Sequence, residues 1–183
     1  MPRISKKNLA LQAAYEIVEH SGVEAITYDS LAEATGLSKS GLIYHFPSRH
    51  ELLVELHRYT AANWEKELES LAGDRTASEL SPQERQRAMA LSLGKNDPLA
   101  ELLLNIHAQS HQDFSGVWQE VNDRWSPNPA QPVSDDAELN QLISGLLGLG
   151  LWVHDHVSET QLSDDNRQRI LDHVLTMIDV PSK

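Results

Sequence analysis

The chain has 183 residues, 40% of them apolar, with 27 Asp and Glu against 15 Lys and Arg, a formal net charge of −12. That composition fits a globular protein of one large domain or a small one with a larger one. The absence of cysteine excludes disulfides and cysteine-ligated zinc. The sequence contains no run of about 18 apolar residues and no secretory pattern in MPRISKKNLALQ, so no membrane partner is expected and a cytoplasmic location is.

Helical punctuation recurs along the chain and strand signals are nearly absent, which predicts an all-α fold of about nine helices. The first spans about Ser5 to Ser21, with Leu9, Ala13 and Ile17 at four-residue spacing and Gly22 as its stop. Arg3, Lys6 and Lys7 form a short basic arm ahead of it or a solubilising tail. Thr27 to Phe46, TYDSLAEATGLSKSGLIYHF, reads as two short helices joined by a glycine turn. Thr27 caps the first of these, Gly36 can end it in a left-handed conformation, and Leu37 plugs the turn. Ser38 caps the second, whose leading residues are small or basic and permit close approach to an anionic duplex. Leu42, Phe46, Leu31 and Ile17 are read as core.

A fourth helix starts at Ser48, where SRHE forms a capping box, and runs to about Leu71 with Gly73 beyond it. Asp74 to Leu80 reads as loop. Ser81-Pro82-Gln83-Glu84 starts another helix, as does Asp97-Pro98. The latter is expected to reach about Gln112, with Asp113–Trp125 a continuation or a separate helix. SPNPAQPV, residues 126–133, has three prolines and is a loop. Ser134 is expected to cap a long apolar helix to Val157, and Ser163 a last one to Ile178.

Residues 1–60 carry 6 Lys and Arg against 7 Asp and Glu, and residues 61–183 carry 9 against 20. The acidity therefore lies outside the two-helix segment, which removes much of the objection that an acidic chain makes to DNA binding.

The apolar first helix, GVEAITYDSLAEATGLSKSGLIYHF and PSRHELLVEL together resemble a TetR-family transcriptional regulator over residues 9–56. The sequence departs from the family pattern at Ile43, where tyrosine is usual and where isoleucine can pack inward, and at Arg49, where lysine is more frequent. Residues 74–183 match only as a helical pattern. The resemblance implies a helix-turn-helix DNA-binding domain over 1–47 and a helical effector-binding and dimerisation domain over 48–183. It further implies a homodimer on a palindromic double-stranded DNA operator, most members being repressors, released when a small, hydrophobic effector binds. The long 48–71 helix would couple the two events. No cofactor and no enzymatic activity are expected.

For DNA contact the candidates are Ser38, Lys39, Ser40 and Gly41 at the leading end of the recognition helix, where lysine and serine can reach base edges or phosphates. Tyr44, His45 and Arg49 are candidates for phosphate oxygens. Thr27 and Tyr28 stand at a helix N-terminus whose free amides suit a phosphate. The plainer reading of each is a solvated helix turn, a cap or a core ring. Effector candidates are Trp64, Met89, Leu103, His107, His111, Phe114, Trp118, Trp125, Trp152 and His154, which combine apolar surface with directional polar groups. An ordinary core would use the same residues. His107 and His111 share metal-ligand spacing on one expected helix, but a pair without a third ligand is more often incidental, and no metal is assigned.

The 134–157 helix is apolar almost all round, including Leu149 and Leu151, and is expected to be buried on several sides. Gly145, Gly148 and Gly150 within it would each cost about 1 kcal/mol relative to alanine, which makes sense where another helix or a ligand comes close. Leu139, Leu142, Ile143, Leu146 and Leu147 with Ile170, Val174, Leu175 and Ile178 on the last helix form the expected dimer face, a two-helix contribution to a four-helix bundle. Two other classes remain: a partner-binding or structural helical protein that has lost operator recognition, and a helical enzyme. Against the enzyme, the sequence has no G-x-S-x-G, H-E-x-x-H, phosphate loop or cysteine nucleophile.

Overall fold

The computed structural model describes residues 5–94 and 98–179. Arg3 of the basic arm and Asp97 lie outside these. Among the described residues there are nine α-helices and no strand. None of the helices is long and apolar enough to cross a membrane. The helices are α1 (Lys6–Ser21), α2 (Tyr28–Thr35), α3 (Lys39–His45), α4 (Arg49–Leu71), α5 (Pro82–Leu93), α6 (Leu99–Ala108), α7 (Gln112–Trp125), α8 (Asp136–Val157) and α9 (Asp164–Ile178). Two compact units emerge: the described residues up to Asn63 with Pro98–Gln119, and Trp64 to Gly94 with Glu120 to Asp179.

In the first unit α1 packs against α2, α3 and α6. Ala10, Leu11, Ala14, Val18, Leu31, Leu42, Phe46, Leu52 and Leu56 are buried there, whereas Ile17 and Leu37 are only half-buried. The caps follow the sequence signals closely. Ser5 accepts from the Asn8 amide, Thr27 and Ser30 cap each other reciprocally, and Ser38 accepts from the Gly41 amide at 3.1 Å. Gly36 takes a φ of +70°, the left-handed conformation that closes α2. At the start of α4 the Ser48 hydroxyl accepts from the Glu51 amide and donates to the Glu51 carboxylate. The Glu19 carboxylate of α1 caps α6 from a distance, taking the Ala100 amide at 2.6 Å.

Two boundaries differ from expectation. The helix after Pro98 stops at Ala108, and a separate helix begins at Gln112. The imidazole Nδ1 of His111 accepts the Asp113 amide at 3.1 Å, a capping role that histidine rarely signals in a sequence. His107 and His111 therefore do not share one helix, and the helical spacing considered for a metal pair does not exist. At α8 the cap is Asp135 rather than Ser134; Ser134 instead donates to the Glu138 carboxylate through both its amide and its hydroxyl. Asp74–Leu80 contains a short 3₁₀ turn, Ala77–Glu79, held by a Thr76–Glu79 capping box.

The second unit is built around mutual packing of α5, α8 and α9. Trp64 donates its indole N–H to Ser92 Oγ at 3.1 Å in the interior. Glu65 receives a bidentate pair of 2.7 Å bonds from Arg124 and a third from the Trp125 indole. Asp155, whose side chain is fully buried, pairs with Arg167, which also donates to the Gly94 carbonyl. The burial expected of α8 is one-sided: Gly148, Leu151 and Trp152 are buried, while Leu139, Leu146, Leu147 and Leu149 are exposed.

The three α8 glycines have different surroundings. A Cβ on Gly148 would lie 3.0 Å from both Cβ and Cδ1 of Leu93, whereas one on Gly150 would meet nothing within 4 Å. The Cβ of Leu93 moves only with its backbone, so α5 and α8 would have to separate. Gly148→Ala is expected to lose on the order of 1–2 kcal/mol despite its better helix propensity. Urea unfolding of the variant checks this; an unchanged or raised midpoint would refute the close approach.

Candidate functional site

Helices α2 and α3 form a helix-turn-helix in which sequence period and burial agree. Leu42 and Phe46, four residues apart, face the core, and the remaining positions of α3 look outward. Tyr44 is 82% exposed. Ile43, which could have packed inward, is 47% exposed, because the 42/46 pair already occupies the inner face. Ser38, Lys39 and Ser40 are exposed and Gly41 is half-buried. A side chain on Gly41 would press on Ser38 Oγ at 3.1 Å, so glycine preserves the cap. Lys39 makes an ion pair with Asp29 of α2, both side chains being largely exposed. The His45 ring stands edge-on to Tyr44, with centroids 5.3 Å apart.

Three of the candidate phosphate ligands also carry internal duties. The Tyr28 hydroxyl donates to the Phe46 carbonyl at 2.5 Å, and partial burial raises its pKa above the usual tyrosine value. Arg49 donates to the carbonyls of Ile26 and Val23 and to the Glu24 carboxylate at 2.9 Å. Thr27 is the α2 cap.

The effector candidates divide between the two units. In the first, His107, His111, Phe114 and Trp118 come together, whereas Leu103 is half-buried on α6. The residue that joins three of them is His57, which the sequence reading passed over. It is fully buried on α4 between Leu53, Leu56, Thr60 and Ala61. The Trp118 indole donates to its Nδ1 at 2.9 Å, and its Nε2 lies 3.1 Å from His107 Nδ1. Because an indole N–H can only donate, His57 Nδ1 must be unprotonated, so His57 donates through Nε2 to His107. Phe114 stacks on the His57 ring, centroids 4.9 Å apart. A histidine within an apolar α4 stripe was the available signal.

In the second unit Trp64, Met89, Trp125 and Trp152 are buried and His154 is half-buried. Trp152 Nε1, His154 Nε2, Asp155 Oδ2 and Gln86 Oε1 are buried without a hydrogen-bond partner among the described residues. Of the expected dimer face, Leu139, Leu146 and Leu147 are exposed, and Leu142 and Ile143 half-buried. Val174 and Ile178 are instead committed to a core cluster with Ala90, against which Ile170 and Leu175 pack.

Residues 10–56 match the family described as bacterial regulatory proteins, tetR family. Over this helix-turn-helix region the chain is similar to the TetR family. No curated protein matches the chain. Solved structures similar to it include a candidate transcriptional regulator from Saccharomonospora viridis in complex with choline, at 16% identity and a TM-score of 0.72, covering 93% of this chain and 95% of the other. A candidate TetR-family regulator from Rhodococcus sp. is 18% identical with a TM-score of 0.67, covering 94% and 96%. The multidrug binding protein EbrR, complexed with imidazole, is 15% identical with a TM-score of 0.59, covering 99% of each chain. At these identities the likeness establishes a shared all-α fold along nearly the whole chain.

Burial, followed by the neighbouring His107, lowers the His57 pKa from 6.5 to about 4. The unfolded chain thus takes up this proton first as pH falls. The stabilisation is complete above about pH 6.5 and is lost on descending toward pH 4, amounting to about 2 kcal/mol by pH 5. His107, also lowered by burial, acts in the same direction. In urea unfolding at pH 7 and pH 5, His57→Gln is expected to lose less stability between the two than the unaltered chain. Equal losses would show that His57 does not titrate there.

Proposed function

We propose that this chain is a TetR-family, one-component transcriptional repressor that binds a palindromic operator as a homodimer and leaves it when a small effector binds. The observation that carries the reading is the recognition helix, which buries Leu42 and Phe46 while presenting Ser38, Lys39, Ser40 and the 82% exposed Tyr44 on the other side. An exposed aromatic ring with a hydroxyl at its tip, beside a lysine and two serine hydroxyls, suits a DNA backbone and the base edges next to it. Thr27 and Tyr28 would contribute α2 backbone amides, since the Tyr28 hydroxyl is already engaged. Arg49 would share its guanidinium between Glu24 and a phosphate. His45 completes the set.

Exposed Leu139, Leu146, Leu147 and Leu149 support α8 as the homodimer face, because four large apolar side chains on one helix seek cover. Val174 and Ile178 would support that face from beneath. The effector proposed is a small molecule with apolar surface and hydrogen-bonding groups. The complexes of the Saccharomonospora viridis protein with choline and of EbrR with imidazole make small-molecule binding a natural role for the body. In the second unit Trp64, Met89, Trp125, Trp152 and His154 are proposed to serve it, with the unpartnered Trp152 and His154 nitrogens as polar handles. In the first, Leu103, His107, His111, Phe114 and Trp118 are the proposed contributors. Helix α4, uninterrupted from Arg49 to Leu71, is proposed to couple effector to DNA. The required preference for one state is a few kcal/mol.

Selection from a random palindromic DNA library tests the reading. Sequence-specific enrichment is expected, and none at any salt concentration would leave a partner-binding helical protein. Against the selected site, Lys39→Ala and Tyr44→Phe are each expected to weaken binding about tenfold, which is 1.4 kcal/mol, by fluorescence anisotropy. Size exclusion with light scattering should find both variants still dimeric. Leu146→Glu is expected to give a folded monomer in the same measurement, and a surviving dimer would move the interface off α8.

A further inference from the structure

The α4 N-terminus and the α6–α7 turn, both within the first unit, bring three ligand-type side chains together. His50 Nε2 lies 2.8 Å from Asp113 Oδ2, and His111 Nδ1 lies 3.5 Å from the same oxygen. One donor atom from each of the three falls within 4.8 Å of the others. The group is exposed and so accessible to an ion from solvent. A cleft of about 400 Å³ adjoins it, lined by His50, Glu51, Glu55, Arg58 and Asp113 and reaching His45 at the end of α3.

We propose that His50, His111 and Asp113 form a binding site for a divalent transition ion of the zinc class. Two imidazoles and one carboxylate suit Zn²⁺, Co²⁺ or Ni²⁺, whereas Mg²⁺ and Ca²⁺ prefer all-oxygen shells. Three protein ligands leave a fourth tetrahedral position for water or a small anion. Bonds of about 2.0 Å place tetrahedral ligands about 3.3 Å apart, so the ion needs displacements of only a few tenths of an ångström to more than an ångström from exposed side chains. It would replace the His50–Asp113 hydrogen bond and the contact of the Asp113 amide with His111 Nδ1.

The surroundings favour this use. Phe114, buried beneath the cluster, contacts both rings, at centroid distances of 5.0 Å to His50 and 5.5 Å to His111, and so limits their rotation. The cation that would oppose an ion, Arg58, is held by Glu55 at 3.1 Å. An ion here would fasten the first turn of α4 to the turn before α7. Metal occupancy would thus stiffen the helix that follows directly from the recognition helix. The binding itself does not depend on whether the chain reads DNA.

The test is titration of the tag-free, metal-stripped full chain with Zn²⁺ by calorimetry and with Co²⁺ by absorption. One equivalent per chain at micromolar affinity or tighter is expected, with the intense visible bands of four-coordinate Co²⁺. Asp113→Asn and His111→Ala should each weaken Zn²⁺ at least tenfold, and His50→Gln likewise, with far-UV circular dichroism unchanged. His20→Ala, on α1, should bind as the unaltered chain does. Thermal unfolding should shift upward with Zn²⁺ in the unaltered chain and not in Asp113→Asn. Undiminished affinity in Asp113→Asn and His111→Ala, no stoichiometric uptake at millimolar Zn²⁺, or equal uptake of Mg²⁺ would each overturn the proposal.

Discussion

The geometry of the helix-turn-helix rests on one junction, the three residues between α3 and α4. Phe46 fills the interior of the first unit, and its carbonyl receives the Tyr28 hydroxyl from the start of α2. Three residues later Arg49 reaches back to the carbonyls of Val23 and Ile26. These bonds tie the beginning of α2, the end of α3 and the beginning of α4 to one another. A seven-residue helix such as α3 is too short to hold itself in water, so its direction has to be imposed by such packing. The departure from the more frequent lysine at position 49 gains a purpose here: a planar guanidinium can serve several acceptors at once where an ammonium would address them as a point charge.

The buried His57 is a second constraint. Donors and acceptors run in one sense from the Trp118 indole through His57 to His107, linking α7, α4 and α6 through side chains that must keep fixed tautomers. A fully buried, neutral histidine is tolerated because both ring nitrogens are satisfied. Phe114 covers the same rings, so this interior combines aromatic contact with polar direction.

Much of this was legible in the chain because it is encoded locally. Thr27, Gly36, Ser38 and Ser81 act within three or four residues of themselves, and a reader of caps and turns finds them. The all-α class, the helix-turn-helix and the exposed leading edge of α3 follow from such signals. Most of what escaped notice depends on residues far apart in sequence. Glu19 caps α6 across 81 residues and His57 meets Trp118 across 61 positions; the cap of α7 by His111 is local, but histidine is not a residue that signals one. Burial of α8 was overestimated for a related reason: an apolar composition tells that a helix seeks cover, not that its own chain provides all of it. Duties already taken by Tyr28 and Arg49 were likewise invisible, since neither the Phe46 carbonyl nor the Val23 and Ile26 carbonyls advertise their need for a donor.

The Lys39–Asp29 ion pair has a bearing on how the reading head would behave among competing duplexes. A lysine already neutralised by a neighbour has to exchange one anion for another when it meets a phosphate, instead of simply shedding solvent. Its net gain on an arbitrary stretch of DNA is correspondingly small, and fewer ions leave the duplex on its account. Added salt loosens the internal pair together with the external one, so this contact would contribute less than a full charge to the salt dependence of binding. With an acidic body repelling the polyanion as well, affinity would be reserved for duplexes whose base edges reward the release of Lys39. Selectivity would then come from a suppressed background as much as from a strong preferred site.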